Sequence, residues 1–317
     1  LSSDDDDVDE EVTEGRLPRN IEPLWYNLTT RIYLPGYVDL PAKKERTFEN
    51  SLLAKFRVVN DSNEIILNSA NLVIPKEPKG WILQLEDTNA TNKMITVSNV
   101  TINATAETVA LTLAEVRDQR SNIKLYISLL QPLKSGTTFS LRVSFSGTMD
   151  ESNSVAVALC EPHYARRILP CLDEPDRKAV FNVVIEHPKG THALFNGIET
   201  GSEPITNYKD FIRTKFVETP KMSTYLFAIV VSDLKKVERK SSRGIPIRAF
   251  IQPDLIDNVG YALNVSVKML DHYEKLFDIP YPLQKLDLVC VRDLTFGAME
   301  TWGLMLFHES SVITHIF

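Results

Sequence analysis

Short runs of apolar residues, each followed by a cluster of turn formers, recur from Tyr26 to Val231. The runs are rich in Val, Ile, Leu, Thr and Phe, and clusters of Pro, Gly, Asn and Asp separate them at intervals of about 8–15 residues. Residues 140–145 alternate polar with apolar side chains, as a strand does when one sheet face is wet and the other buried. The pattern predicts a mostly β fold, with an antiparallel β-sandwich or saddle over residues 17–240.

Residues 1–16 form a separate acidic segment, with eight Asp and Glu side chains and no Lys or Arg before Arg16. Such a segment cannot bury enough apolar surface to become ordered, so we expect a disordered, solvated arm; an interaction tail is the alternative. The charge of this segment accounts for the formal net charge of −7 of the whole chain, so the rest of the chain is close to neutral. No basic aromatic surface indicates a nucleic-acid partner.

The pattern changes after residue 240. A strand is predicted at Ile247–Ile251, and Asp254 follows it where it can cap an amphipathic helix of about twenty residues. A second apolar strand, Leu286–Val291, comes after the helix. We therefore predict a domain boundary here and an α/β unit over residues 241–317.

Cellular location is indicated by glycosylation sequons. The sequence has six sequons, whereas about two or three would occur by chance in a chain of this composition. The excess favours the secretory route and an extracellular or cell-surface glycoprotein. No run approaches the roughly 18 apolar residues of a membrane helix, so membrane attachment is expected only through an anchor upstream of Leu1. The six sequon asparagines are Asn27, Asn60, Asn89, Asn99, Asn103 and Asn264.

Three cysteines allow at most one disulfide. Cys160 and Cys171 are eleven residues apart and could pair across a loop, or both could be buried free thiols.

Two segments carry most of the functional information. Residues 158–175 read ALCEPHYARRILPCLDEP, and residues 297–304 read GAMETWGL. Together they resemble the aminopeptidase N family of thermolysin-like zinc exopeptidases, in which the first segment contains Gln-x-Glu-Pro and the second Gly-Ala-Met-Glu-Asn. The resemblance extends from about Leu17 to the C-terminus and implies a β-rich N-domain followed by the start of a thermolysin-like catalytic domain.

The resemblance implies that Glu161 and Glu300 hold the free α-ammonium group of a peptide N-terminus. An exopeptidase needs such an anchor so that only the first peptide bond is cleaved, and carboxylates supply charge-assisted hydrogen bonds to the cation. Gly297, Ala298 and Met299 would pair with the substrate main chain as an added strand does. The alternative is that Glu161 is a turn residue and Glu300 a loop carboxylate.

Charged residues near the first motif have a structural interpretation. Side chains of this kind are seldom buried unpaired, which favours a structural ion-pair cluster. The four residues concerned are Arg166, Arg167, Asp173 and Glu174.

The chain departs from the family pattern in several places. Leu159 stands where the family has Gln, Thr301 where it has Asn, and Arg292 where it has Pro. The zinc motif His-Glu-x-x-His is missing, since His308-Glu309 is followed by Val312 and not by a second His. The resemblance implies zinc in the full-length family member, on a helix beyond Phe317, with no metal ligand and no catalytic residue in this chain. We expect this chain alone to be inactive.

Two functions are therefore considered. The first is the N-terminal part of a zinc-dependent aminopeptidase, a metalloprotease that removes N-terminal residues from peptides and whose partners are peptide N-termini. The second is a non-catalytic peptide- or protein-binding ectodomain derived from this family, which the departures at Leu159 and Thr301 favour. A purely structural adhesion domain does not account for the two motifs.

Overall fold

The fold is mostly β, as predicted, and its strands form five sheets in the described part of the chain. The computed structural model describes residues 16–77, 80–81, 83–88, 93–104, 123–149, 155–292, 294 and 297–312. Apart from Arg16, the predicted acidic arm lies outside these residues. No helix among the described residues is long and apolar enough to cross a membrane.

The first unit contains sixteen strands in its described residues. In chain order they are β1 (Ile21–Tyr33), β2 (Thr47–Val58), β3 (Ser62–Asn68), β4 (Lys76–Glu77), β5 (Gly80–Trp81), β6 (Leu83–Asp87), β7 (Lys93–Ile95), β8 (Val97–Ala104), β9 (Ile123–Leu133), β10 (Thr138–Thr148), β11 (Ala156–Leu159), β12 (Val180–Pro188), β13 (His192–Phe195), β14 (Glu199–Ile205), β15 (Tyr208–Phe216) and β16 (Ala228–Ser232).

Eight of these strands form one large sheet in the order β14-β15-β12-β1-β2-β10-β6-β7. Neighbours are antiparallel except for β1 and β12, which run parallel with Trp25 opposite Val180. A parallel pair needs a long crossover, and the intervening strands supply it. Tyr26, Phe56 and Phe139 line up across the buried face, with ring centroids 5.9 Å and 5.2 Å apart. The predicted alternation in β10 is confirmed from Leu141 to Phe145, where Arg142 and Ser144 are exposed and their apolar neighbours are buried, but Ser140 is buried as well.

Three smaller sheets complete the described part of the first unit. They are ordered β11-β16-β13, β3-β9-β8 and β4-β5. Apolar side chains from the three-stranded sheets join the same continuous core as the eight-stranded sheet. This core fixes β11, and the first motif begins where β11 ends.

The second unit is a five-stranded sheet with one long helix. Its elements are β17 (Lys235–Lys240), β18 (Pro246–Ile251), α1 (Gly260–Phe277), β19 (Leu286–Val291), β20 (Ala298–Met299) and β21 (Leu304–His308), and the sheet order is β17-β18-β19-β21-β20. Strand β17 therefore pairs with β18, although it precedes the boundary predicted at residue 240. Helix α1 packs against β17 and β18 on one face of this sheet. Apolar side chains on the opposite face of the sheet belong to the core of the first unit.

The prediction for the start of the helix was wrong. Asp254 lies in a 3-10 helix, Pro253–Asn258, in which it makes no capping hydrogen bond, and α1 begins at Gly260. Pro253 presets φ for the tight turn, which closes with a bond from the Leu255 N–H to the Gln252 carbonyl at 3.0 Å. The helix ends at Phe277, and the left-handed φ of 52° at the C-cap residue Asp278 turns the chain before the next proline.

Candidate functional site

Glu161 lies in the turn that follows β11, with its carboxylate exposed to solvent. The Cys160 carbonyl accepts a hydrogen bond from the Tyr164 N–H at 2.8 Å, and this bond closes the turn. The Glu161–Pro162 peptide bond is cis. No hydrogen bond or ion pair occupies the Glu161 side chain within the described residues, so its carboxylate is available to a ligand.

The rest of the first motif ties this turn to the core. Arg166 donates from Nε to Asp173 Oδ2 at 2.8 Å, and both side chains are buried. Thr224 Oγ1 donates to Asp173 Oδ1 at 2.7 Å. Glu174 accepts from the Leu17 N–H at 2.8 Å, which attaches the segment before β1 to the first motif. The predicted structural ion pair at Arg166 and Asp173 is confirmed.

Arg167 has a different environment from Arg166. Its guanidinium carbon lies 4.7 Å from the centroid of the Tyr164 ring. Arg167 thus packs on an aromatic face beside the turn that carries Glu161.

The second motif forms the edge of the five-stranded sheet. Among the described strands, β20 pairs only with β21, with Ala298 opposite Phe307 and Met299 opposite Leu306. The His308 N–H donates to the Gly297 carbonyl at 2.9 Å. In an antiparallel ladder the hydrogen-bonded pairs alternate, so the N–H and C=O groups of Ala298 point toward the open edge. Among the described strands, none covers this edge.

Side-chain direction along β20 separates a buried residue from two exposed ones. Met299 is buried in the large core, whereas Ala298 and Glu300 are exposed on the other side. Glu300 makes no hydrogen bond or ion pair within the described part of the chain. Leu159 and Met299 pack on the same core. Within the described residues, no hydrogen bond or shared partner joins the carboxylates of Glu161 and Glu300.

The loop after Glu300 is held by two residues that sequence reasoning missed. Asn196 donates from Nδ2 to the Trp302 carbonyl at 2.7 Å and to the Leu226 carbonyl at 2.8 Å. Lys285 donates from Nζ to the Gly303 carbonyl at 2.7 Å. Asn196 precedes a Gly and is a turn signal, while the pattern Lys285-x-Asp287 at the start of an apolar strand is the only local hint of the other anchor.

Gly303 itself is required by this packing. Its φ is 73°, and a Cβ atom there would lie 2.4 Å from the Asn196 carbonyl oxygen. A side chain at this position would therefore force the loop away from the first unit.

Four charged side chains form a network under the loop. Lys285 and Arg248 both bond to the Asp287 carboxylate, at 2.7 Å and 2.5 Å for the closest atoms, and Arg248 also reaches Glu199 at 2.8 Å. Burial lowers the pKa of Lys285, against the opposing effect of Asp287. Burial also acts to lower the pKa of Arg248, but hydrogen bonds to Asp287 and then Glu199 raise it overall.

The departures from the family pattern have distinct structural settings. Thr301 is buried, and its Oγ1 donates to the Leu304 carbonyl within the turn. Leu159 is half-buried against the core. Arg292 is exposed and forms an ion pair with Glu309 at 3.0 Å. Neither Thr301 nor Leu159 offers a free polar group to a ligand.

The residues described here do not fit a zinc ion. His308 ends β21, and its Nδ1 lies 2.7 Å from the Ser310 hydroxyl, while Glu309 is paired with Arg292. In the described ranges, no group of three or more His, Cys, Asp or Glu side chains is arranged to hold a metal.

The sequon asparagines differ in accessibility. Asn60, Asn99 and Asn264 are exposed. Asn27 is half-buried in the central strand β1, and its buried Oδ1 has no hydrogen-bond partner among the described residues. Asn103 lies in β8, and Asn89 falls outside the described residues.

The cysteines are free and buried. Burial raises the pKa values of the Cys160 and Cys171 thiols, and the nearby Asp173 carboxylate raises them further. Of the two alternatives left open by the sequence, the structure has buried free thiols.

Comparison with known proteins places these features in context. Residues 22–226 match the Peptidase M1 N-terminal domain, and residues 261–316 match the Peptidase family M1 domain. Aminopeptidase N of Haemonchus contortus is 36% identical over 314 residues, which cover 98% of this chain and 31% of that protein. Aminopeptidase N of Canis lupus familiaris is 30% identical over 94% of this chain and 30% of its own length.

A third relative is endoplasmic reticulum aminopeptidase 2 of Homo sapiens, which is 32% identical over 95% of this chain and 30% of its own length. The chain thus spans about a third of the length of these three relatives.

Proposed function

Because this chain belongs to the M1 family of peptidases, we propose that it carries the α-amine anchor of an aminopeptidase, a hydrolase that removes N-terminal residues from peptides. The observation that carries the proposal is the open sheet edge at Ala298, with the exposed carboxylate of Glu300 two residues later in the chain. Proteins named aminopeptidases are similar to it over nearly the whole chain.

In this proposal a peptide adds to the edge of the five-stranded sheet. The outward N–H and C=O groups of Ala298 bond to its main chain, and the missing side chain at Gly297 leaves room for close approach. The Glu300 and Glu161 carboxylates accept hydrogen bonds from the α-ammonium group, which fixes the register of the peptide at its first residue. Neither carboxylate has to break a bond to another described residue to do so.

Peptidases of the M1 family use zinc, which polarises the scissile carbonyl and activates water when bound. The described residues of this chain do not fit the metal. The proposed role of this chain is therefore confined to binding and orienting the peptide. We propose that the full-length protein, which in the relatives is about three times longer, supplies the zinc ligands and the general base.

A second candidate is a non-catalytic ectodomain that binds peptides or proteins through the same edge. The observation that favours it is the buried Thr301, whose hydroxyl is used by the Leu304 carbonyl and cannot bond to a substrate. Peptide binding would then depend on the main chain and on the two carboxylates alone.

The secretory route is also part of the proposal. Exposed sequons at Asn60, Asn99 and Asn264 can accept glycans without unfolding the sheets. One relative is named for the endoplasmic reticulum, which lies on that route. We propose an extracellular or cell-surface glycoprotein whose membrane attachment, where present, comes from a segment upstream of Leu1.

Binding of a labelled pentapeptide to the 317-residue chain, followed by fluorescence anisotropy, tests the anchor. We expect the peptide with a free amino group to bind at least about tenfold more tightly than its N-acetylated form. Glu300→Gln and Glu161→Gln should each reduce this preference, while Glu22→Gln, on the exposed side of β1, should retain it. Equal binding of the two peptides would refute the anchor.

The same peptides distinguish the two candidate functions when added to the full-length gene product. Release of the first residue, together with one bound zinc per chain, supports the aminopeptidase. A preference for the free amino group without any hydrolysis supports the binding ectodomain.

A further inference from the structure

A cavity of about 340 Å³ lies between the first and second units. We call it the seam cavity. Neither Glu161 nor residues 297–300 line it, so it is distinct from the proposed peptide edge. Its walls are formed by residues 196–198, 217–220 and 222 of the first unit and by residues 282–284 and 302 of the second.

The walls of the seam cavity are held in place by backbone contacts. The Val217 N–H donates to the Ile198 carbonyl at 2.9 Å. Gly197 lies so close to this segment that a Cβ atom would be 2.1 Å from the Val217 oxygen. The cavity is therefore formed before a ligand arrives, and its volume is near the lower end of the range for small-molecule sites.

Most of the polar side chains in the walls are already bonded. Asn196 uses Nδ2 for two carbonyl oxygens, and its Oδ1 accepts from the Ala228 N–H at 3.0 Å. Thr219 Oγ1 accepts from the Phe181 N–H at 3.0 Å. Glu218 remains as an exposed carboxylate, and the described residues that line the cavity include no Lys or Arg.

Trp302 provides the second recognition element. Its side chain is 40% exposed beside the cavity, while its carbonyl is bonded to Asn196. An indole face attracts a cation, and a carboxylate supplies charge-assisted hydrogen bonds to the same group. The remaining walls are mainly apolar, including Ile198, Met222 and Leu283.

We propose that the seam cavity binds a small organic ammonium compound with an apolar body. The ammonium group lies between Glu218 and the Trp302 ring, and the apolar body packs against the aliphatic walls. Such a ligand contacts both units and the loop that follows Glu300.

The test uses phenethylammonium as the probe and the 317-residue chain labelled with 5-fluorotryptophan. The chain has three Trp residues, and Trp302→Phe identifies the fluorine resonance of Trp302. We expect phenethylammonium to shift that resonance with a low-millimolar dissociation constant, in keeping with its few heavy atoms. The resonances of Trp25 and Trp81 should remain in place.

Matched controls separate cation recognition from simple apolar binding. Glu218→Gln should weaken phenethylammonium binding about fivefold or more, and Glu22→Gln should leave it unchanged. The neutral 2-phenylethanol, which has the same shape, should bind at least about fivefold more weakly than the cation. Equal binding of the two compounds, a shift of all three resonances together, or no shift at all would overturn the proposal.

Discussion

The ammonium group of Lys285 donates a hydrogen bond of 2.7 Å to the carbonyl oxygen of Gly303, so a buried charge fixes the turn behind Glu300. The same nitrogen bonds to the Phe195 carbonyl, in the first unit, at 2.7 Å. One side chain thus connects the core strand β13 with the loop of the second motif. The position of the proposed amine anchor depends on contacts made well away from it.

Replacement of Lys285 by Met should destabilise the chain by about 3 kcal/mol. The variant keeps most of the apolar volume but removes one of the two cationic partners of the buried Asp287 carboxylate. It also removes one hydrogen bond from each of the Phe195 and Gly303 carbonyls. Urea denaturation followed by circular dichroism measures the loss. Lys240→Met, at an exposed lysine of β17, should change the free energy of unfolding by less than about 0.5 kcal/mol. Equal effects of the two variants would contradict a structural role for Lys285.

Two glycines with positive φ should respond differently to alanine. Gly303 has φ 73° and Gly136 has φ 81°, but only at Gly303 would the new Cβ meet a backbone atom. We expect Gly136→Ala to cost about 1 kcal/mol from its backbone conformation alone. Gly303→Ala should cost about 3 kcal/mol or more, because the contact with the Asn196 carbonyl has to open as well. Thermal unfolding of the two variants gives the comparison, and a smaller loss at Gly303 would refute the close contact.

Local patterns predicted much of the fold but none of its long-range connections. Alternation in β10 and the apolar strand β19 were visible because each depends on side chains close together in sequence. The parallel pairing of β1 with β12 was not visible, since Arg31 and Glu186 meet across 155 residues. The error at Asp254 arose because the same residues suit both a 3-10 turn and an α-helical start.

The candidate site shows the same division. Glu161 and Glu300 were found because each lies within a recognisable motif. Lys285 and Asn196 were missed because their residue types are usually found on surfaces and their acceptors are distant carbonyl groups. The carbonyls of Phe195 and Gly303 carry no signal in the sequence that a charged side chain will bond to them.

The three thiols should not react with Ellman's reagent in the folded protein. Cys160 and Cys171 are fully buried, and burial raises the pKa of Cys290 to about 12. A thiol has to be accessible and ionised to react, so none is expected to do so quickly under native conditions. In guanidinium, three thiols should react per chain, because all three are free. Reaction of only one thiol after unfolding would instead indicate a Cys160–Cys171 disulfide.

His187 should make stability depend on pH between about 4 and 6.5. Both ring nitrogens lie 2.9 Å from threonine hydroxyls, those of Thr191 and Thr214, and burial lowers the pKa of His187 to about 4. The unfolded chain takes up this proton near pH 6.5 and the folded chain only near pH 4, so stability falls as the pH drops through that window. The contribution lost between pH 7 and pH 5 is roughly 2 kcal/mol.

Comparison with His187→Gln isolates this contribution from the carboxylates that titrate in the same range. The free energy of unfolding in urea should fall more steeply from pH 7 to pH 5 for the unchanged protein than for the variant, because glutamine does not take up a proton. His272→Gln, at an exposed histidine of α1, should retain the steeper fall. Parallel pH profiles for the unchanged protein and His187→Gln would mean that His187 is charged in the folded state, which its threonine partners and buried position argue against.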